Sequence, residues 1–244
     1  MSVYRRPENF QQKIPNREKK SAKIPAWKKV VAFIGAPALF CVLSYGVLVA
    51  AAAPTVGPYL GLAKYMFSKD QTTTQSTNLY ENLAQGIEHS TTVPLSQLVY
   101  PNKGDQYGEI TIDGTSVDAP LYYGDSTREL NRGVATYADS AGAGIPGESK
   151  TVLLAGHNHT FFNGLQDVKE GDLVHINTHY GSYVYKIISM KVADYQDATT
   201  YDFSRTDENL IMYTCYPFDA LGFTPQRYFV YAEYVSGPMI DPTQ

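Results

Sequence analysis

The last two hundred residues of this chain contain one cysteine, Cys215, within the stretch YTCYPFDALGFTPQR. A thiol acts as a nucleophile when a nearby base or cation favours its thiolate form. The other cysteine, Cys41, lies in a long apolar segment and cannot form an intramolecular disulfide with Cys215. In an oxidising compartment an unpaired thiol indicates an intermolecular link or a reactive group, while a buried, inert cysteine is the ordinary alternative. Cys215 is therefore a candidate nucleophile that needs a base beside it.

The candidate base lies in the stretch TVLLAGHNHTFF. Val152–Ala155 is a continuous apolar run typical of a buried strand, and Gly156 ends it immediately before His157. A histidine at the end of a buried strand is rigidly held and still accessible. His159 is the rival base in the same stretch, and a histidine that only caps the strand is the structural alternative.

The other three histidines are weaker candidates. His89 belongs to a predicted helix, and His175 lies inside an alternating strand, where we expect a structural or exposed position. His179 falls in a predicted hairpin turn, where we expect it to be solvated.

A third candidate is Arg227, twelve residues after Cys215 and at the start of the next predicted strand. If the two strands pair, both residues lie side by side near the loop end of a hairpin. A planar guanidinium there can donate hydrogen bonds to a developing oxyanion or to a peptide carbonyl. A solvated surface arginine is the alternative.

Short strands, several of them of alternating polarity, predominate from residue 109 onward. They are predicted at Glu109–Ile112, Val152–Ala155, Leu173–Ile176, Ser182–Ile188, Leu210–Tyr213 and Arg227–Tyr234, with turns at Asp113-Gly114 and near His179–Gly181. Many short strands with turns and few helices favour an antiparallel sandwich or a closed barrel.

Two short helices are predicted from capping boxes, in which a polar residue is followed three residues later by Glu. Asn78 with Glu81 precedes residues at helical spacing, Leu79, Leu83 and Ile87. Ser126 with Glu129 precedes Leu130, Val134 and Tyr137.

The N-terminal region predicts a membrane anchor. Val30–Ala53 is a run of 24 uncharged residues, which as a helix of about 36 Å exceeds the hydrocarbon core of about 30 Å. Residues 1–29 carry nine Lys and Arg against two Glu, so the positive-inside rule places the N-terminus in the cytoplasm. The run is too long for the apolar part of a cleaved signal peptide. We therefore expect a single-pass anchor with the rest of the chain outside the cell.

Charge and composition divide the remainder of the chain. We expect a basic cytoplasmic tail over residues 1–29, a transmembrane anchor over 30–53, a juxtamembrane segment and polar tether over 54–78, and one extracellular domain over 79–244. From Tyr65 onward there are 10 Lys and Arg against 22 Asp and Glu. This excess of acidic residues repels phosphates, so nucleic acid is excluded as a partner.

Together these segments resemble a sortase, the membrane-anchored cysteine transpeptidase of Gram-positive cell surfaces. The similarity is carried by GIPGESKTVLLAGHNHTFF and by IMYTCYPF with the downstream PQRYFV. Carried over residue by residue, His157, Cys215 and Arg227 match the family's catalytic histidine, nucleophile and arginine. Ile211 and Met212 stand where the family most often has Thr-Leu, a conservative change for strand positions. The residues after the cysteine and the histidine are most similar to class D.

This resemblance implies a mainly β fold, a closed sortase-type β-barrel with a few short helices after one N-terminal transmembrane helix. It implies cleavage of an LPXTG-like sorting signal through a thioacyl enzyme, with Thr214 in substrate binding and without a metal or organic cofactor. The expected partners are the membrane, surface proteins or pilins bearing that signal, and an amine acceptor from a cell-wall precursor or a pilin lysine. The alternatives are a catalytically idle peptide-binding module and a cysteine hydrolase that uses water as the acceptor.

Overall fold

The computed structural model of the protein describes residues 25–69, 92–220 and 222–243. The helix predicted after Asn78, His89 and most of the expected polar tether lie outside these described residues.

Helix α1 (Ala26–Lys69) is 44 residues long, and the chain divides into two compact units between Ala50 and Ala51. Its length and apolar composition suit it to cross a membrane, because a helix of this length extends about 66 Å. The predicted span, Val30–Ala53, lies within it. The helix continues through residues 54–69, part of the segment expected to be juxtamembrane, and Pro37 does not end it.

The described residues of the second unit include ten strands. They are β1 (Thr92–Pro94), β2 (Gln106–Ile112), β3 (Asp118–Tyr123), β4 (Val134–Thr136), β5 (Thr151–Ala155), β6 (Leu173–Thr178), β7 (Gly181–Asp194), β8 (Asn209–Tyr216), β9 (Gln226–Ser236) and β10 (Met239–Asp241). One α-helix, α2 (Thr127–Leu130), and three short 3-10 helices at Leu95–Gln97, Asn163–Asp167 and Ala198–Thr200 complete the described elements.

Eight of these strands close into a barrel in the order β2-β3-β4-β5-β8-β9-β7-β6, while β1 and β10 form a separate parallel pair. The expected closed barrel is confirmed. Two neighbouring pairs in this barrel are parallel, β3 with β4 and β5 with β8. Strand periodicity predicts which residues face the core, but it does not specify the direction of the partner strand.

Two apolar clusters lie on the two faces of the barrel wall. The larger, interior cluster includes Val152, Leu154, Tyr183 and Tyr185. The smaller cluster is built on Leu153, Ile211 and Phe229, with partly buried tyrosines packed against it. Because successive side chains of a strand point to opposite faces, β5 is buried on both faces, which explains its continuous apolar sequence.

The second capping box forms as predicted. The Ser126 hydroxyl accepts from the backbone of Arg128 and the Glu129 carboxylate accepts from the backbone of Ser126. The longer helical spacing predicted beyond it was wrong, because α2 ends at Leu130 and Val134 begins a strand. The parallel pairing of Leu121 with Val134 recruits that segment to the barrel and overrides the local helical pattern.

Candidate active site

His157 is brought beside Cys215 by the parallel pairing of β5 with β8. The last residue of β5, Ala155, is in register with Tyr213, and the Gly156 amide donates to the carbonyl of Tyr213 at 3.3 Å. His157 and Cys215 each follow two residues after this pair. Gly156 allows the turn because a β-carbon there would lie 2.8 Å from the ring of Phe162.

Thr214 ties the ends of the two strands together. Its hydroxyl is buried and donates to the Gly156 carbonyl at 2.7 Å. This bond fixes the separation between the backbone of Gly156 and the residue before Cys215. Thr214 also lines the pocket described below, and its part in substrate binding stays a prediction.

Cys215 and Arg227 face each other directly on the antiparallel strands β8 and β9. Tyr213 and Phe229, two residues along each strand, also pair with each other. Since side chains alternate along a strand, Cys215 and Arg227 share the outer face of the barrel with this aromatic pair. The hairpin arrangement predicted from the sequence is therefore present.

The side chains of His157, Cys215 and Arg227 line one pocket with a volume of about 310 Å³. Its other lining residues are mostly aromatic or small, and they are Asp125, Leu130, Tyr137, Leu153, Ala155, Gly156, Tyr195, Tyr201, Tyr213, Thr214 and Phe229. A nucleophile, a base and a cation that open onto one mainly apolar cavity can act on a single bound group.

The ring of His157 is oriented by Asn131, the residue after α2. Nε2 of His157 lies 3.2 Å from Oδ1 of Asn131. A carbonyl oxygen only accepts, so this bond places a proton on Nε2 and leaves Nδ1 as the free basic nitrogen of the neutral ring. Burial, and secondarily the neighbouring His159, lower the pKa of His157 below its ordinary value.

His159 is adjacent to His157 but is not part of the pocket lining. The two rings are stacked with centroids 6.5 Å apart. Nδ1 of His159 is buried without a hydrogen-bond partner among the described residues. Of these two histidines, His157 is the one that lines the pocket shared with Cys215 and Arg227.

A comparison with known protein families matches the sortase domain over residues 110–235, about half of the chain. Sortase D of Bacillus subtilis (strain 168) is 30% identical over 154 residues, which cover 63% of this chain and 76% of that protein. The chain belongs to the sortase family.

The solved structure of a sortase D5 transpeptidase from Clostridium perfringens shares the sortase fold with this chain. Its TM-score is 0.53 at 19% identity, covering 64% of this chain and 94% of that one. The resemblance to class D sortases is confirmed by the relative from Bacillus subtilis. The matched range contains His157, Cys215 and Arg227.

Several residues in the pocket of this sortase, or in contact with its lining, were not identified from the sequence. Asn131 follows a recognisable capping box, but nothing local indicates that it meets His157. Tyr137 and Tyr201 come from connecting segments that fold over the outer face of β5 and β8. Asp125 is half-buried in the pocket wall, and burial raises the pKa of its carboxyl group.

The remaining described histidines of the sortase lie elsewhere. His175 is partly exposed, and its Nε2 lies 3.3 Å from the carboxylate of Asp113, as expected for a structural role. The prediction that His179 is solvated was wrong. His179 is in the turn between β6 and β7 but is buried, and its Nε2 donates to the Val99 carbonyl at 2.8 Å. The segment before β2 covers this turn, a contact that local sequence does not encode.

Proposed function

We propose that this sortase is a membrane-anchored cysteine transpeptidase that cleaves an LPXTG-like sorting signal and transfers the acyl group to an amine. Cys215 is the nucleophile, His157 the general acid and base, and Arg227 the group that holds the peptide and the oxyanion. The observation that carries this proposal is the position of Cys215, which lines one pocket with His157 and lies directly across the strand pair from Arg227.

The first half of the reaction forms a thioester. The thiol proton of Cys215 passes to His157, and Sγ attacks the carbonyl carbon of the Thr–Gly bond. The C–S bond forms, the C–N bond breaks, and His157 returns the proton to the leaving amine. Arg227 donates hydrogen bonds to the oxygen that carries negative charge in the tetrahedral intermediate.

The second half transfers the acyl group. An incoming amine loses a proton to His157 and attacks the thioester carbon, which forms the new amide bond. The C–S bond breaks and Sγ recovers the proton from His157. No electrons are gained or lost over the cycle, so no oxidant or reductant is required.

Burial of the base affects the resting state of this pair. Because desolvation disfavours imidazolium, the lowered pKa of His157 keeps its ring neutral at pH 7.

The anchor places this chemistry at the cell surface. In this proposal residues 1–29 form the cytoplasmic tail and residues 30–53 span the membrane. Residues 54–78 connect the membrane span to the extracellular catalytic domain, which comprises residues 79–244. The basic flank and the 24 uncharged residues support this orientation. The partners are surface proteins or pilins with the sorting signal, and an amine acceptor from a cell-wall precursor or a pilin lysine.

The test is mass spectrometry of the full chain in detergent after incubation with a mixed library of surface-protein tail peptides. We expect an acyl adduct on Cys215 whose mass gives the signal sequence, and its absence in Cys215→Ala. Added amines should convert the adduct to an amide product. Release of only the free acid in the presence of every amine indicates a hydrolase. Peptide binding without any adduct indicates an idle binding module.

A further inference from the structure

Two exposed aromatic rings flank the guanidinium of Arg227. Tyr195 directly follows β7, and Phe223 lies in the segment between β8 and β9. Their rings meet edge to face with centroids 5.4 Å apart. Cζ of Arg227 lies 5.7 Å from the ring centre of Tyr195 and 5.9 Å from that of Phe223. Both distances are within the range of cation–π attraction.

The polar contacts of Arg227 all use one nitrogen. Nη1 donates to the carbonyl oxygens of Thr224 at 2.6 Å and Gln226 at 2.9 Å, and to the hydroxyl of Thr224 at 3.4 Å. Among the described residues, Nε and Nη2 have no hydrogen-bond partner and no carboxylate forms an ion pair with the guanidinium. Three N–H donors, one on Nε and two on Nη2, and the full positive charge therefore stay available to a bound peptide.

The two rings have no role in the barrel core. Phe223 is 75% exposed and Tyr195 is 46% exposed, and neither belongs to the two apolar clusters. The backbone amide of Tyr195 donates to the carbonyl of Pro225 at 2.8 Å, which ties its segment to the one that carries Phe223. Hydrophobic burial does not explain two large exposed rings at this point, whereas contact with a cation does.

We propose that Tyr195 and Phe223 are positioning residues that hold the guanidinium of Arg227 in one orientation toward the pocket. The inference rests on the proposed function, in which Arg227 stabilises the oxyanion. An arginine side chain has many rotamers, and ordering it during the reaction would slow the chemical step. The rings and the backbone carbonyls order it beforehand. Phe223 acts from outside the pocket lining, while Tyr195 and Arg227 are both part of it.

The kinetic test uses the full chain in detergent and a sorting peptide that forms the acyl adduct. Phe223→Leu keeps apolar bulk and removes the ring. We expect kcat to fall about threefold, in line with a cation–π contact at an exposed site, with little change in KM. Tyr195→Leu should behave similarly and the double variant should lose about tenfold. Phe223→Tyr and Tyr195→Phe keep the rings and should retain wild-type kcat.

A double-variant cycle shows whether the rings act through Arg227. In an Arg227→Ala background, Phe223→Leu should cost nothing further in the rate of acylation. The same loss in both backgrounds would mean that Phe223 contacts the peptide or supports the loop directly, and this result overturns the proposal. Wild-type kcat in the Tyr195, Phe223 double variant overturns it as well.

A spectroscopic measurement separates this proposal from the proposed function. The chain has seven arginines, so ¹⁵N-arginine labelling resolves the Nε signal of Arg227, assigned by its loss in Arg227→Ala. We expect a ring-current shift in the wild type that moves toward the free-arginine position in Phe223→Leu. If the wild type shows the ring-current shift but no transpeptidation, only the proposed function is contradicted. If the wild type is active and the Nε signal of Arg227 is the same in Phe223→Leu, only the aromatic positioning is contradicted.

Discussion

Nε2 of His157 lies 3.2 Å from Oδ1 of Asn131, a residue 26 positions earlier in the chain. The bond fixes both the orientation and the tautomer of the imidazole, so that Nδ1 is the basic nitrogen. Asn131 thus holds in place the group that we expect to exchange protons with Cys215 and the substrate amine.

Asn131→Ala should lower kcat about two- to tenfold with little change in KM, because the ring of His157 loses a hydrogen bond worth about 0.5–1.5 kcal/mol. Asn131→Asp restores an acceptor and should raise the pKa of His157, because an anion favours imidazolium. Steady-state kinetics and an NMR titration of the ring measure the two effects. Wild-type kcat in Asn131→Ala would exclude the positioning role.

The two neighbouring histidines should differ sharply in their contributions. We expect transpeptidation to fall by several orders of magnitude in His157→Ala and to stay within about tenfold of wild type in His159→Ala. His159 is one cause of the lowered pKa of His157, so its removal should move the titration of His157 to higher pH. Kinetics and NMR titration of the same variants test both statements. If His159→Ala is inactive and His157→Ala is active, the base is His159 and the assignment to His157 is wrong.

Arg227→Lys should lose at least about tenfold in kcat/KM, roughly 1.4 kcal/mol of transition-state stabilisation. A lysine retains the charge, but it cannot bond the Thr224 and Gln226 carbonyls through one nitrogen while other nitrogens present further donors in a fixed plane. The measurement compares the rate of acyl-adduct formation in the wild type and in Arg227→Lys. Near-wild-type turnover in the lysine variant would mean that Arg227 is a surface charge without a role in the chemical step.

A buried carboxylate makes the stability of the domain depend on pH. The Glu208 carboxylate accepts from the hydroxyl of Tyr185 at 2.6 Å and from the amide of Ser149 at 2.9 Å. Burial raises the pKa of Glu208, and the Tyr185 hydrogen bond opposes this rise. A raised carboxyl pKa in the folded state means that stability declines as pH rises from the unfolded pKa through the folded one.

Tyr185→Phe removes the opposing bond, so the pKa of Glu208 should rise further and the free energy of unfolding should fall. We expect a loss of about 1–3 kcal/mol at pH 7 and a smaller loss at pH 4, where Glu208 is protonated more fully. Urea denaturation of the full chain in detergent, followed by near-UV circular dichroism, provides the measurement. Tyr231→Phe is the control, because its hydroxyl donates to the neutral carbonyl of Thr200. An equal loss at both pH values would show that the charge of Glu208 has no part in the effect.

The orientation of the chain is testable in intact cells. Because the basic flank precedes the uncharged run, protease added to protoplasts should digest the domain from Leu79 onward while leaving the N-terminal tail intact. Antibodies against each end of the chain report the two fragments. Full protection of the domain from the protease would contradict the proposed orientation.

The sequence by itself determined the elements whose signals are local. The apolar run ending at Gly156 predicted the strand that presents His157, and the alternating segments around Cys215 and Arg227 predicted the hairpin that places them side by side. Ser126 with Glu129 predicted a helix start that forms. Each of these signals rests on residue types within a few positions of one another, so neighbouring residues alone specify the outcome.

Tertiary structure decided which distant segments meet. The parallel pairing of β5 with β8, which brings His157 to Cys215, joins segments about sixty residues apart. The contact of Asn131 with His157 and the burial of His179 arise in the same way, from segments that fold over the barrel. Alternation along a strand fixes which face is buried but leaves the partner and its direction open. Only the packing of the whole barrel selects among those pairings, because their free energies depend on side chains contributed by every strand at once.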